Sequence, residues 1–567
     1  MPDEERLSRR TFVKLSGASA ATAALAGCSG TGGSDDGGSG DGGGGDGGDG
    51  DESTPTETAA GDGSDDGGSA ANDEEFVFVN NGRPVPYDPG TNQGWVGTVS
   101  MVNFYDPLVF VDPETKAPAA HLATDWSIED DGRTWVFTLR DDVTFHSGNA
   151  LTAEDVAYSL ERTMALNLGK ASLWSGFLTA DSAEVRDERT VALTSERQFG
   201  PMLATLVNLF VADGQAVRAN ADTEYGEEYL KWNVEGSGPY GLREKRSEEI
   251  LFEAHEDYWG GWDDAQFKRA RYKGVLEPST LKNLIKTGQA DMAGSWLSPT
   301  DYEEMASADG VTLEQVPSWR LFHIPLNTQK KPTDDLNVRK AIVHAIDYES
   351  IMSGIFPGAE RVAGPVPSNM PGHNDDLAPY QQDVASAESF LDQADYSLDE
   401  INETGIELVY VAQLEYEREI GLVIKQNLGD LGIEVELNPL PYPNITERNT
   451  EPETSPHMLQ IFVGASYPSP DTFLKQLFHE DALGLSFTSS WFTTDELTGL
   501  IDDARTTVDA DERMAKFREA QRIVYDAYPS VFLMQYPLFA PIQEGIEGFT
   551  FRGVDGYEVR WYDFRRT

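Results

Sequence analysis

Residues 29–75 hold 17 glycines and 14 acidic residues, and no aliphatic residue larger than alanine. No other stretch constrains the fold as strongly. Such a chain cannot bury enough apolar surface to offset the entropy of ordering, so it is expected to be disordered. As a random coil its reach is roughly 40 Å, from about 5–6 Å times the square root of its length. The sequence therefore divides into a leader ending at Cys28, a tether over 29–75, and a globular remainder that opens at Phe76.

The leader carries Arg9 and Arg10, then a weakly apolar segment from Leu15 to Leu25. That segment is too short to span a bilayer, which takes about 20 apolar residues. A charged start, a short apolar middle and small residues at the end make a secretory signal. Ser8-Arg9-Arg10-Thr11-Phe12-Val13-Lys14 resembles a twin-arginine export signal. Leu25-Ala26-Gly27-Cys28 resembles a lipobox, which implies that Cys28 becomes a lipidated N-terminus. One acyl chain binds membranes marginally, so stable anchoring needs two or more. The expected location is the extracellular face of the cell membrane, with a lipid anchor.

The chain has 97 acidic and 43 basic residues. Without leader and tether, 80 acidic and 39 basic residues remain. This excess argues against nucleic-acid binding, which draws on Lys and Arg to displace counterions. It would self-repel at low salt, but at molar salt the screening length is about 3 Å. The acidity and scarcity of lysine resemble the secreted proteins of haloarchaea, implying a halophilic, monomeric protein. Cys28 is the only cysteine, so no disulfide can help hold the fold. Residues 76–567 are numerous enough for the core to suffice alone.

Phe76-Val77-Phe78-Val79 reads as an opening strand. Trp135, Phe137 and Leu139 alternate as a half-buried strand requires, after a hairpin turn at Asp130-Asp131-Gly132. Thr152 to Asp155 is a capping signature, followed by Val156, Leu160 and Met164 on one helical stripe. Residues 337–347 and 417–431 carry helical periodicity, with Ile420, Val423, Ile424 and Leu428 inward in the second and Gly432 as its stop. Ile433, Val435 and Leu437 then alternate as a strand. A further helix is expected over 511–526 and an apolar strand over 531–534. Helix–strand alternation of this kind implies an α/β lobe.

The run Leu122–Arg162, reading LATDWSIEDDGRTWVFTLRDDVTFHSGNALTAEDVAYSLER, resembles the signature of family 5 extracellular solute-binding proteins. These are the dipeptide-, oligopeptide- and nickel-binding components of ABC importers. Gly236-Ser237-Gly238-Pro239-Tyr240, Asp257-Tyr258-Trp259-Gly260, Lys286–Asp291, Leu326–Ala341 and Tyr467–Asp471 continue the resemblance in chain order. It implies a periplasmic-binding-protein-like α/β fold of the large, three-lobed type II. Two main α/β lobes and an extra lobe would enclose a ligand cleft between lobes. The expected division is 76–112 with 236–326 and 538–567 as lobe I, 113–235 as the extra lobe II, and 327–537 as lobe III. The partners implied are a small solute and ABC permease subunits, with capture by hinge closure and no cofactor.

In peptide-binding members of the family, an acid beside the tyrosine of an Ala-Asp-Tyr segment pairs with the ligand's α-amine. Here Ala465-Ser466-Tyr467 stands in that place. A hydroxyl cannot offer the charge-assisted bond that a carboxylate gives an ammonium. The ligand is then a neutral or sugar-like solute, or a peptide held differently. Tyr467, Trp491 and Tyr536 are candidates for an aromatic wall, and Trp319, Arg320, Asn327 and Ser466 complete the candidate ligand-binding set. Eight histidines show no His-x-His or His-Glu-x-x-His pair, so no metal site is expected. His146 reads as a turn or packing residue and Asp155 as a cap.

Two other classes compete. A hydrolase would need a nucleophile elbow or a placed carboxylate pair. There is no Gly-x-Ser-x-Gly, and Asp130-Asp131 and Asp334-Asp335 read as turns and caps. A ligand sensor without transport would use the same fold. Two Asn-x-Thr sequons, at Asn402 and Asn444, are open to glycosylation outside the membrane.

Overall fold

In a computed structural model of the chain, the described residues are 75–567, apart from Gln93, Asp130, Asp131, Ser295, Trp296 and Ser486. Arg9, Arg10, Cys28 and the tether, except for its last residue Glu75, lie outside them. So do the two aspartates of the expected hairpin turn. Glu75 opens the first strand and pairs with Arg271 at 2.9 Å.

That strand, Glu75–Asn80, shows why the fold is layered. Phe76 and Phe78 enter one apolar core, while Val77 and Val79 enter another on the opposite face. A strand covered on both faces belongs inside a sheet, and both its neighbours, Arg269–Gly274 and Met292–Ala293, run parallel to it. Among the described residues this sheet has nine strands. Glu249–Ala254 and Tyr240–Lys245 extend it on one side. On the other, Met292 pairs with Ser530–Gln543, which pairs with Val311–Pro325, and that strand pairs with Ile461–Gly464.

The signature region builds a separate four-stranded antiparallel sheet from Ala123–Glu129, Thr134–Leu139, Thr190–Thr194 and Ala183–Asp187. Trp135, Phe137 and Leu139 are buried and Thr138 is exposed, as the alternation requires. Helix Ala153–Leu166 begins with the Thr152/Asp155 capping box, and Val156 and Leu160 are fully buried. Farther along, helix Glu415–Asp430 buries Ile420, Ile424 and Leu428, with Val423 half-buried. Gly432 follows at φ +83°, a conformation that favours glycine. A parallel three-stranded sheet, Val435–Leu440, Ile406–Val411 and Met458–Leu459, lies beside that helix. The 511–526 helix is Ala510–Ala527.

Two strands are much longer than their sequence suggests. Val311–Pro325 and Ser530–Gln543 pair antiparallel along nearly their whole length. Phe539, Ala540 and Ile542 enter the cores of the first half of the chain, while Trp319 to Leu326, Val531 to Met534 and Leu538 enter the core of the second half. Between Val316↔Leu538 and Arg320↔Tyr536 the register shifts, so Pro317, Ser318 and Trp319 oppose Pro537 alone. Proline cannot donate to a ladder, which is why the break falls here. Ser318 partly replaces the lost bonds: its Oγ donates to the Tyr536 carbonyl at 2.5 Å and accepts from Arg320 N at 2.9 Å.

Candidate ligand cleft

The bulge sets Arg320, Tyr536 and Gly464 in one row across three strands. Cross-strand neighbours share a face, so their side chains lie on the same side of the sheet. Arg320 is fully buried, and its Nε donates to Asp555 Oδ1 at 2.9 Å. Its Nη2 lies 3.6 Å from Glu558 Oε1, which also accepts from Trp95 Nε1 at 2.8 Å. Gly556 N donates to Glu558 Oε2 at 2.7 Å. Burial opposes the charge of Arg320, yet Asp555 and Glu558 hold its pKa above the ordinary value. Burial pushes the Glu558 carboxyl up, against the pull of Arg320.

Gly464 makes the cluster possible. A Cβ there would stand 2.0 Å from Asp555 Oδ2, so the carboxylate lies directly over the glycine. The Asp555 side chain keeps 25% of its surface exposed, whereas Arg320 keeps none. Its Oδ1 is taken by Arg320, which leaves acceptor capacity on the exposed side. Lys170, half-buried, lies close enough to feel the Asp555 charge, and burial pushes its ammonium pKa down. Ser466, two residues after Gly464, is also half-buried, and its carbonyl accepts from Asn208 Nδ2 at 2.8 Å. Tyr536 continues the wall. It stacks on Phe462 at 5.8 Å and meets Phe356 at 5.3 Å and Tyr416 at 6.2 Å. At the bulge, a cavity of about 280 Å³ is lined by Gln315, Pro317, Gly358, Glu360, Gln535 and Pro537.

The other expected site residues fall elsewhere. Tyr467 is buried and donates to Asp471 Oδ2 at 2.9 Å. Ser469 Oγ and Arg505 Nε reach the same carboxylate at 2.5 Å and 3.3 Å. The Arg505 guanidinium sits 4.6 Å from the Phe177 ring, which ties this network to the signature-bearing half of the chain. Trp319 packs edge-on against Phe551, and Gly553 lies against its ring. Asn327 lies seven residues beyond Arg320, or roughly 23 Å along an extended strand. Its Nδ2 donates to Pro452 O at 2.8 Å. Trp491 joins it there: its Nε1 donates to Ser455 Oγ at 2.8 Å and its carbonyl accepts from Gln329 Nε2 at 3.0 Å. The structure thus brings Arg320, Ser466 and Tyr536 together and sets Asn327 and Trp491 apart as a loop clasp. His146 bonds the Gly238 carbonyl at 2.9 Å. Among the described residues no three His, Cys, Asp or Glu side chains are placed to hold a metal ion.

Sequence reasoning missed Asp555, Glu558, Trp95 and Lys170. Arg320 and Asp555 are 235 residues apart, so no local pattern links them. The only signal was two acids in the otherwise apolar and glycine-rich stretch Gly553–Val559.

Apolar cores are joined by two paired strands, and the part-open ion cluster lies where those strands cross between them. Comparison with known proteins gives the class. The profile of the bacterial extracellular solute-binding proteins, family 5 middle region, matches residues 117–484, and the chain belongs to that family. Its members serve as the capture components of ABC importers, and so does this chain. The probable D,D-dipeptide-binding periplasmic protein of Escherichia coli is 27% identical over 442 residues, covering 76% of this chain and 81% of its own. The dipeptide-binding protein of the same organism is 25% identical over 500 residues, covering 84% and 91%. A periplasmic binding protein from Helicobacter pylori, solved with a bound peptide, superposes with a TM-score of 0.72 at 23% identity, over 87% of this chain and 98% of that one. NikA from Brucella suis, in complex with Fe(III)-EDTA, gives 0.76 at 19% identity, over 87% and 100%. The fold is that of the periplasmic binding proteins. Among the described residues no helix is long and apolar enough to cross a membrane.

Proposed function

We propose that the solute is a small peptide or other organic compound carrying a cationic group, and that Asp555 receives that group. The supporting observation is the Asp555 carboxylate over Gly464, paired with buried Arg320 yet one-quarter exposed. Gly464 ends its strand two residues before Ser466, so Asp555 supplies charge close to a position where Ser466 has none. An ammonium bound there gains a charge-assisted hydrogen bond in a partly desolvated setting. Tyr536, Phe462 and Ser466 form the adjacent wall, with Trp319 and Tyr467 packed behind it, while Asn327 and Trp491 stand apart from it in the loop clasp. The lobes are divided at 112/113, 235/236, 326/327 and 537/538. They close by bending of the two long strands at Pro317 and Pro537, where the ladder is already broken and the 280 Å³ cavity leaves room. The ligand leaves unchanged, without chemistry. Export by the twin-arginine route, lipidation at Cys28, attachment to the outer membrane face as a monomer and adaptation to high salt belong to this reading, on the strength of the sequence.

The test is calorimetry and thermal shift in molar salt with free and N-acetylated dipeptides. Free amines should bind, raise the Tm and be recovered intact. Asp555→Asn should weaken them selectively, and Ser466→Asp introduced in that variant should restore part of the loss. Equal binding of acetylated and free peptides, unchanged in Asp555→Asn, would sink the assignment. Turnover of any compound would sink the binding-only reading.

A further inference from the structure

The two sequons are chemically alike but structurally unlike. Asn402 lies in helix Leu398–Thr404, and both ends of its amide are engaged. Its Nδ2 donates to Gly432 O at 2.9 Å, and its Oδ1 accepts from Glu434 N at 2.9 Å. The side chain thereby fastens the turn that follows helix Glu415–Asp430. Asn444 lies in the first turn of helix Tyr442–Arg448. Its side chain is exposed, and among the described residues it makes no hydrogen bond. Ile445 beside it is buried against Val409, Leu459 and Ile461, which fixes the backbone so that Asn444 faces outward.

We propose that Asn444 is an N-glycosylation site and that Asn402 is not. The proposal rests on the export reading above, because the donor and transferase act outside the membrane. A protein exported folded presents its native surface to the transferase, so the acceptor must be accessible in the fold. The Asn444 side chain meets that condition as it stands; the sequon hydroxyls are engaged alike in the two helices, Thr446 donating to Tyr442 O at 3.2 Å and Thr404 to Glu400 O at 2.9 Å. Asn402 is held against the backbone by both ends of its amide, so its Nδ2 would have to leave Gly432 O to reach the transferase. The donor is a lipid-phosphate-linked oligosaccharide. The bond from the sugar anomeric carbon to the phosphate oxygen breaks, and a bond from that carbon to Asn444 Nδ2 forms. One amide proton leaves with the lipid phosphate. No redox partner is needed.

The experiment is mass spectrometry of the full-length protein purified from the membranes of its own organism. The expected result is a sugar-bearing peptide at Asn444, a bare peptide at Asn402, and loss of the added mass in Asn444→Gln. Asn402→Ala should keep the sugar and lower the Tm, as a broken clamp would. A bare Asn444, or sugar at Asn402, overturns the proposal. The state of Cys28 in the same sample separates the two readings. Bare Asn444 on a lipidated chain overturns the glycan alone, whereas an unprocessed leader with bare Asn444 overturns export as well.

Discussion

Two of the buried arginines, Arg505 and Arg320, are finished differently. Arg505 is 2% exposed and its partner Asp471 is not exposed at all. Tyr467, Ser469 and Arg505 share the Asp471 oxygens, and the guanidinium lies on the Phe177 ring. Arg320 is as deeply buried, but its partner Asp555 reaches solvent. The first cluster is saturated and the second keeps an acceptor in reserve. Burial alone therefore does not mark a binding residue; the unspent hydrogen-bonding capacity beside it does.

The comparison breaks most sharply if the saturated cluster is opened. Arg505→Ala leaves Asp471 buried without its cation, and should destabilise the protein by about 3–5 kcal/mol in denaturant unfolding. The protein that remains folded should bind ligand nearly as before. Asp555→Asn should do the reverse. Losing a charged hydrogen bond of about 1.5–3 kcal/mol lowers affinity for an amine roughly 10- to 150-fold, while Arg320 keeps Glu558 at 3.6 Å as a counter-charge, so the unfolding midpoint should fall less than in Arg505→Ala. If the two variants show the same profile, the distinction between the clusters is false.

A titration sharpens the picture from outside both clusters. His323, on the long strand, is fully buried against Ser530 Oγ at 2.9 Å, and burial pushes its pKa down to about 3. Because the folded value lies below the unfolded one of about 6.5, the stability it contributes is complete above that pH. It is lost as pH falls from about 6.5 toward 3. Unfolding midpoints should decline over that range, and less steeply in His323→Gln. Smallest of all is the exposed pair Arg186–Glu129 at 2.9 Å, where Arg186→Ala should leave the unfolding midpoint nearly unchanged.

How much of this was legible depended on distance along the chain. The Thr152/Asp155 cap, the Trp135–Leu139 alternation and the Gly432 stop are local, and the residues that make them lie within one or two turns. Of Ser530–Gln543 the sequence pattern shows only 531–534, and a proline inside a run, as at Pro317 and Pro537, argues against a continuous strand. Proline does end ladders, but here two prolines oppose one another in a bulge and the pairing resumes beyond them. Trp491 and Asn327 carry the residue types of a recognition wall, yet their polar atoms are consumed in joining loops. The Arg320–Asp555 pairing needs the assembled sheet, so no periodicity could show it.

The placement of Glu75–Asn80 has a mechanical consequence. This strand is the first of the folded part and is gripped on both edges by parallel neighbours, not left at the rim of the sheet. A pull on the N-terminus along the strand axis loads all its ladder bonds at once, in shear. It cannot unzip them one by one, so the strand resists such a pull as a unit.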